Sequence, residues 1–250
     1  MVKDTRLILG MPVTVVVIDS GATTKILDKI FSYFVYVDEK FSTYKEASEI
    51  TSINKKELKL EDASEDMKQV FSLCEKTKKE TGGYFYIVDR DGKYDPSGLV
   101  KGWAINNASG ILLKEGFSNF YIDAGGDIQT GGKNGDGKTW TVGIKNPFCD
   151  KEIVKSLYIK NEGVATSGTY IRGQHVYNPK NKGEFITDII SLTVIGRNIY
   201  EADRFATAAF AMGKEGIGFI EKLDGLEGYM IDKDGLATET SGFERYVKPR

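Results

Sequence analysis

His175 is the only histidine among the 250 residues, and it lies in a run of polar and turn-forming residues that extends from Ser167 to Pro179. Histidine is the one side chain whose unperturbed pKa lies near neutrality, so this run is the first place to look for acid and base chemistry. A histidine that only completes a structural hydrogen bond is the alternative. The sequence therefore offers His175 as a candidate general base, to be weighed against its neighbours.

A second candidate segment precedes a predicted helix. Ser97 and Gly98 can leave backbone amides free at the helix start, and Lys101 falls in the first turn. An anionic ligand would meet both the helix dipole and a cation there. An ordinary capped helix with Lys101 in solvent fits this segment equally well.

Two more segments combine carboxylates with small residues. Gly125 and Gly126 follow a predicted strand and allow a ligand to approach the backbone closely, with Asp127 next to them; a plain turn is the alternative. Asp203 and Thr207 are four residues apart in a predicted helix, so their oxygens share one face, as a hard cation such as Mg²⁺ requires. In the competing interpretation, Asp203 only interacts favourably with the helix dipole and Thr207 only packs against its neighbours.

The elements that must position these residues alternate between strands and helices. Periodic apolar residues predict helices over 23–41, 62–83, 100–115, 201–212 and 214–223, the second ended by the glycines at 82–83 and the third by the glycine at 116. β-branched runs predict strands over 13–19, 120–123, 140–144, 153–159, 191–195 and 228–231. Successive strands without intervening helices favour an antiparallel pairing. We therefore predict an α+β fold: one compact unit over residues 1–250, with a mixed, mainly antiparallel sheet flanked by helices.

Composition excludes several classes of function. Lys plus Arg number 34 against 36 for Asp plus Glu, so there is no basic surplus for nucleic-acid binding. Cys74 and Cys149 form neither a disulfide framework nor a thiolate zinc site. No run approaches the ~20 apolar residues that span a bilayer. The sequence as given is expected to be cytoplasmic, although a membrane-anchored lipoprotein would look the same once its export signal had been removed.

Two local matches to known motifs fail on context. The segment 132–139 satisfies the P-loop pattern, but an alternating strand follows it where a P-loop needs a helix. Asn134-Gly135 and Asp136-Gly137 are hairpin-turn dipeptides and explain the segment better. The segments that start at Asp89 and Asp232 resemble the opening of a calcium loop, but they lack its later glycine and glutamate and are interpreted as solvated turns.

The four candidate segments belong to a longer ordered set of motifs: Leu9-Gly10-Met11, Phe41-Ser42-Thr43-Tyr44, Ser48-Glu49-Ile50, Thr81-Gly82-Gly83, Ser97-Gly98, Lys101-Gly102, Gly125-Gly126-Asp127-Ile128, Ala165-Thr166-Ser167-Gly168, His175 with Pro179, and Ala202-Asp203 with Thr207. In this order they closely resemble the ApbE-type FAD:protein FMN transferases. The resemblance spans nearly the whole chain and is far more specific than any single motif.

The resemblance implies an activity and a set of roles. It implies Mg²⁺-dependent transfer of FMN from FAD to a threonine or serine hydroxyl of an acceptor flavoprotein, with release of AMP. The implied catalytic residues are His175 as base, Lys101, and Asp127 as reserve base, and the implied Mg²⁺ ligands are Asp203, Thr207 and a backbone carbonyl near Ser97 or Gly98. The implied FAD-binding residues are Met11, Tyr44, Ser48, Glu49, Asn54, Ser97, Lys101, Gly125, Gly126, Asp127, Ser167 and Gly168.

Three positions depart from the family's pattern. Tyr86, Asn106 and Asn178 stand where acids are usual. Two alternatives stay open. One is a Mg²⁺-dependent FAD pyrophosphatase, in which water replaces the hydroxyl and the products are FMN and AMP. The other, motivated by the missing carboxylates, is a non-catalytic FAD-binding protein.

Overall fold

Twelve strands form one large sheet and two small ones. The computed structural model describes residues 1–169, 176–181 and 184–249. Its strands are β1 (Val2–Ile8), β2 (Met11–Val17), β3 (Phe120–Ala124), β4 (Asp127–Gly131), β5 (Trp140–Asn146), β6 (Cys149–Ile159), β7 (Gly163–Gly168), β8 (Tyr177–Asn178), β9 (Glu184–Phe185), β10 (Ile189–Gly196), β11 (Glu227–Asp232) and β12 (Ala237–Glu239).

Eight of these strands make the large sheet, in the order β1-β2-β3-β4-β7-β10-β11-β12. Each pairing between neighbours in this sheet is antiparallel within the described residues. The α+β class is therefore confirmed, and the sheet is more uniform than the mixed one expected. β5 pairs with β6 and β8 pairs with β9, each pair as a separate hairpin.

In the described ranges, six helices accompany the sheet: α1 (Thr24–Phe41), α2 (Glu49–Asn54), α3 (Glu65–Glu80), α4 (Ser97–Lys114), α5 (Ile199–Ala211) and α6 (Gly216–Ile220). Single 3-10 turns lie at Leu60–Asp62, Gly213–Glu215 and Phe243–Tyr246. The predicted helix over 214–223 is shorter than expected, because a 3-10 turn occupies its start. The other four predicted helices are confirmed, within a few residues at their ends.

The central strands of the large sheet are buried on both faces, whereas the edge strands β1 and β12 are largely exposed. Side chains alternate along a strand, so Ala165, Val194 and Met230 join the core under the helices, whereas their neighbours face the β5–β6 hairpin. That second core is made by Ile128, Val142, Ile144, Leu157, Ile159, Val164, Ile195, Tyr229, Ile231 and Phe243. The sheet thus lies between a helical layer and a hairpin layer.

α5 is held at its start by two polar side chains. Asn198 caps the helix by accepting a hydrogen bond from the amide of Glu201 at 2.9 Å. The amide of Ile199 donates to the buried side chain of Gln129 on β4 at 2.8 Å. These contacts fix α5 against the sheet, which matters because α5 carries Asp203 and Thr207.

The segment 132–139 is a turn, as expected, and not a phosphate loop. Asn134 accepts the amide hydrogens of Asp136 and Lys138 through its side chain, and the chain continues directly into β5. The segments at Asp89 and Asp232 are also turns closed by their own aspartates. Within the described residues, no helix is long and apolar enough to cross a membrane.

Candidate active site

An open cleft lies at the end of the sheet where β3 turns into β4 and β7 ends. Nineteen residues line it: Tyr84, Phe85, Tyr86, Ile87, Asp89, Asp95, Ser97, Gly98, Lys101, Gly125, Thr166, Ser167, Gly168, Val176, Tyr177, Pro179, Asp203, Thr207 and Ala211. The first turn of α4 and the middle of α5 form its floor. The four segments singled out in the sequence therefore converge, except for His175, which lies outside the described residues.

A buried charge cluster lies at the floor of the cleft. The ammonium of Lys101 lies 2.6 Å from Oδ2 of Asp127, and the side chain of Asp127 is 2% exposed. The other oxygen of Asp127 accepts the amide hydrogen of Thr166 at 3.1 Å. Asp203 is 4% exposed and accepts the amide hydrogen of Gly102 at 2.7 Å. Within the described residues, the ammonium of Lys101 therefore pairs with Asp127 and also acts electrostatically on Asp203.

The excess of carboxylates has an electrostatic consequence at Asp203. Burial raises the pKa of its carboxyl to about 8; Lys101 opposes this rise, and the neighbouring Asp127 adds to it. A carboxyl with such a pKa stays largely protonated at neutral pH unless a further positive charge lowers its pKa. The cluster is thus suited to a cation.

The oxygens needed to hold that cation are adjacent. The hydroxyl of Thr207 lies 3.2 Å from the carbonyl oxygen of Gly98, and Asp203 precedes Thr207 by one helical turn on α5. Two neighbouring ligands of an octahedral Mg²⁺ ion, each bonded at 2.0–2.1 Å, lie about 3 Å apart. Carboxylate, hydroxyl and carbonyl oxygens are the hard donors that Mg²⁺ prefers. The residues present therefore fit Mg²⁺, although the described residues hold no group of three or more His, Cys, Asp or Glu suited to a metal.

Two glycines let α4 and α5 approach each other at this point. A Cβ on Gly102 would lie 2.6 Å from Cβ of Asp203 and 2.8 Å from the carbonyl oxygen of Ile199. A Cβ on Gly98 would lie 3.0 Å from Cγ2 of Thr207. Only glycine at Gly102 allows the observed helix packing, which brings the Gly98 carbonyl to Thr207.

The turn between β3 and β4 shapes another wall of the cleft. Gly125 and Gly126 have φ angles of +62° and +96°, a region that glycine adopts without strain. Asp123 accepts the amide hydrogen of Gly126 at 2.8 Å, and the Gly125 amide donates to the carbonyl of Pro12. Met11 packs against Gly125, so close that a Cβ there would lie 2.8 Å from its sulfur. These contacts fix the conformation of the turn.

Comparison with known proteins is consistent with this geometry. The model of the ApbE family matches residues 9–89 and 87–230, which together cover most of the chain. The chain belongs to the ApbE family. Among curated ApbE-family relatives, the FAD:protein FMN transferases of Klebsiella pneumoniae and Escherichia coli K12 are each 30% identical, over 165 and 155 residues. These matches cover 62% and 58% of this chain but 46% and 44% of the relatives, so the chain spans about half the length of the curated relatives it matches.

Solved ApbE structures share the fold over its full extent. The flavin transferase ApbE from Vibrio cholerae superimposes with a TM-score of 0.86 and 20% identity, covering 98% of each chain. The ApbE protein from Thermotoga maritima gives a TM-score of 0.87 and 21% identity, covering 99% of each chain. At these identities the likeness concerns the fold alone.

Part of the FAD-binding set implied by the ApbE resemblance lies in the cleft. Ser97, Lys101, Gly125, Ser167 and Gly168 line it, while Gly126 and Asp127 directly follow Gly125. The amide of Ser97 is not free, since it donates to the carboxylate of Asp95 at 3.0 Å.

The remaining predicted FAD-binding residues lie outside the cleft lining, and most are engaged within the protein. Ser48 caps α2 and donates to the carbonyl of Ser42 at 2.7 Å. The carboxylate of Glu49 accepts hydrogen bonds from the amide and hydroxyl of Ser64. The side chain of Asn54 makes two hydrogen bonds with the backbone of Tyr94. By contrast, Tyr44 is 96% exposed, so its ring is available to a ligand or a partner.

The structure also adds cleft residues that the sequence did not single out. Tyr84 and Tyr177 contribute aromatic walls, and Asp89 and Asp95 contribute carboxylates. Asp95 directly precedes Pro96 and Ser97, so its place before α4 was a usable signal. Tyr177 lies beyond His175 in a two-residue strand, and no local pattern marks it as part of the cleft.

Proposed function

We propose that this protein transfers FMN from FAD to a threonine or serine hydroxyl of an acceptor protein, with Mg²⁺ as cofactor and AMP as the second product. Membership of the ApbE family supports the proposal, as do the names of the curated relatives, which are FAD:protein FMN transferases. The chain spans about half the length of those relatives, and the geometry of the cleft supports the proposal independently.

The observation that carries the proposal is the donor set at the cleft floor. Asp203, Thr207 and the carbonyl of Gly98 are the residues that would hold Mg²⁺, and they adjoin the Lys101–Asp127 ion pair. FAD's diphosphate is doubly anionic. A site with hard oxygen donors for a divalent cation next to a lysine therefore suits a diphosphate better than a neutral ligand.

The proposed reaction is a displacement at phosphorus. The acceptor's hydroxyl oxygen forms a bond to the phosphorus of the FMN half, and the bond from that phosphorus to the bridging oxygen breaks. The bridging oxygen leaves with AMP. The hydroxyl proton passes to a base, so the acceptor gains FMN as a phosphoester, and no oxidant or reductant is consumed.

The chain's own residues would orient the diphosphate and move the proton. Lys101 would stabilise negative charge on the phosphate oxygens, and Asp127 fixes its ammonium over the floor of the cleft. Bound Mg²⁺ would neutralise charge on the diphosphate and polarise it. His175 is the proposed general base and Asp127 its reserve, and a positioned base typically contributes ~10²–10⁴-fold.

The test supplies purified protein with FAD, Mg²⁺ and a protein that another ApbE-family transferase flavinylates. We expect an acceptor mass increase equal to FMN less one water, with AMP released in equal amount. FMN and AMP that form without acceptor would instead identify a pyrophosphatase, and intact bound FAD with no AMP would identify a binding protein. An alanine at the acceptor's modified threonine is the matched control and should show no mass increase.

A further inference from the structure

One wall of the cleft consists of two segments that the large sheet does not hold. The connection between α3 and α4 supplies Tyr84, Tyr86 and Asp95, and the segment that begins with β8 supplies Tyr177 and Pro179. β8 and β9 have two residues each and pair only with each other in the described part of the chain. Among the described residues, side-chain contacts join this hairpin to the α3–α4 connection.

Arg90 joins the two segments. Its guanidinium carbon lies 4.8 Å from the ring centroid of Tyr177 on β8 and 4.1 Å from that of Phe185 on β9. Both distances are within the ~6 Å range of a cation–π contact. A planar guanidinium can lie against aromatic faces in a way that the ammonium of a lysine cannot. Arg90 thus contacts both strands of the small hairpin.

The backbone around Arg90 is fixed by its own turn. The amide of Asp89 donates to the carbonyl of Lys93 at 2.8 Å, and the carboxylate of Asp89 accepts the amide hydrogens of Asp91 and Lys93. Two further contacts join the same segments: the Tyr177 hydroxyl donates to the carbonyl of Val88 at 3.3 Å, and Lys180 lies 4.5 Å from the Tyr84 ring centroid. These contacts fix the backbone that carries Arg90 beside the hairpin.

We propose that Arg90 is a positioning residue, which holds the β8–β9 hairpin against the α3–α4 connection and so sets the width of the cleft at Tyr177. This inference rests on the proposed function for its effect on FAD, but not for the contact itself. Arg90 does not line the cleft, so it acts through Tyr177 and Phe185.

The contact is tested without any flavin, by hydrogen exchange of the intact protein followed by mass spectrometry. Loss of the cation–π contacts in Arg90→Ala should increase exchange of the amides at 177–178, 180–181 and 184–185 about fivefold. Exchange in the large sheet should not change. Lys93→Ala, which removes an exposed cation from the same loop, is the matched control and should exchange like the wild type. Equal exchange in all three proteins would overturn the proposal.

The consequence for the site is tested by FAD binding, followed by flavin fluorescence in EDTA so that no turnover occurs. Arg90→Ala should weaken FAD binding about fivefold, and Arg90→Lys should restore only part of the loss. Phe185→Leu should also weaken binding, and the double variant should lose less than the product of the two single losses, because both act through one contact. If the double variant lost FAD affinity by the full product of the two single losses, the two residues would act independently, and the shared contact would be contradicted.

The two readouts separate this inference from the proposed function. A wild-type protein that neither binds FAD nor transfers FMN when Mg²⁺ is present would refute the function, while the exchange comparison would still decide whether Arg90 holds the hairpin. Faster exchange in Arg90→Ala with unchanged FAD affinity would refute the positioning role alone.

Discussion

Two neighbouring residues on α5 carry buried charges in opposite circumstances. Arg204 is 3% exposed, and its guanidinium contacts the carboxylates of Glu201 and Glu80 and the hydroxyl of Thr77. Asp203 is similarly buried, but in the part of the chain that the structure describes, the ammonium of Lys101 is shared between its carboxylate and that of Asp127. Nearby carboxylates neutralise the charge of Arg204, whereas the described residues do not fully neutralise an ionised Asp203.

This difference separates structural from functional charges. A buried ion with complete partners stabilises the packing around it, and its loss leaves those partners uncompensated. A buried ion with incomplete partners costs stability and is retained where a ligand completes it. We therefore propose a chemical role for the cleft floor, whereas the Arg204 cluster holds α5 against α3.

The sharpest way to break this assignment is Asp203→Asn. The substitution keeps shape but removes the charge that a divalent cation needs, so Mg²⁺-dependent FMN transfer should fall by about 10³-fold or more. The rate of AMP release at saturating FAD measures this. Asp136→Asn, in an exposed turn, is the control, and turnover within tenfold of the wild type in Asp203→Asn would show that the metal is held elsewhere.

Arg204→Met tests the other half of the comparison. Removal of the arginine leaves Glu201 buried without its main partner and should cost about 3–5 kcal/mol in the free energy of unfolding. Denaturant unfolding measures the loss. Arg197→Met removes a 78% exposed arginine that also contacts Glu201 at 3.4 Å, and it should cost less than about 1 kcal/mol. A similar cost for both variants would contradict the structural role of Arg204.

The pH dependence of stability sharpens the comparison further. Since the pKa of Asp203 is raised to about 8 in the fold, the native state binds more protons than the unfolded chain between about pH 4 and pH 8. In EDTA, this group therefore makes the wild type lose stability as the pH rises through that window. Asp203→Asn should not share the loss, so by pH 8 its Tm should exceed that of the wild type by about 4 °C or more.

Added Mg²⁺ should then raise the Tm of the wild type at pH 8 and leave that of Asp203→Asn unchanged. If the Tm of the two proteins depended on pH in the same way in EDTA, the fold would not raise the pKa of Asp203.

The smallest expected effect concerns a satisfied polar group outside the cleft. Ser48 was predicted to bind FAD, but its hydroxyl caps α2 and donates to Ser42. Ser48→Ala should cost ~1 kcal/mol of stability through loss of the cap. Its FAD affinity should stay within about twofold of the wild type. A larger loss in a flavin fluorescence titration would restore the predicted contact with FAD.

The sequence predicted most of the helical layer because its signals are local. The spacing of Ile26, Ile30, Phe34 and their neighbours was enough for α1, and glycine signals at 82–83 and 116 placed two helix ends within a few residues. The strands missed were those without an apolar run. β4 is Asp127-Ile128-Gln129-Thr130-Gly131, and all five residues are buried although three of them are polar. Tertiary partners such as Ile199 and Glu162 satisfy them, and no local pattern reveals such partners.

For the candidate site, too, some residues could be predicted from the sequence and others could not. Motif order and residue type placed Lys101, Asp127, Asp203 and Thr207 together, and the structure brings these four to one cleft. The part played by Arg90 could not be foreseen, because its partners Tyr177 and Phe185 are about 90 residues away along the chain. Ser48 and Glu49 have the residue types of ligands, and only the coordinates show their hydrogen bonds to the protein.

The absence of a side chain at Gly102 has a consequence for how this site can be lost. α4 and α5 touch there through a hydrogen atom, and the spacing of the two helices fixes how far the Gly98 carbonyl lies from Thr207. The distance between the oxygens of the proposed cation site thus depends on Gly102, which supplies no ligand to that site. A survey of functional groups would pass over Gly102, yet a single methyl group at this position would separate the oxygens on which the proposed chemistry depends.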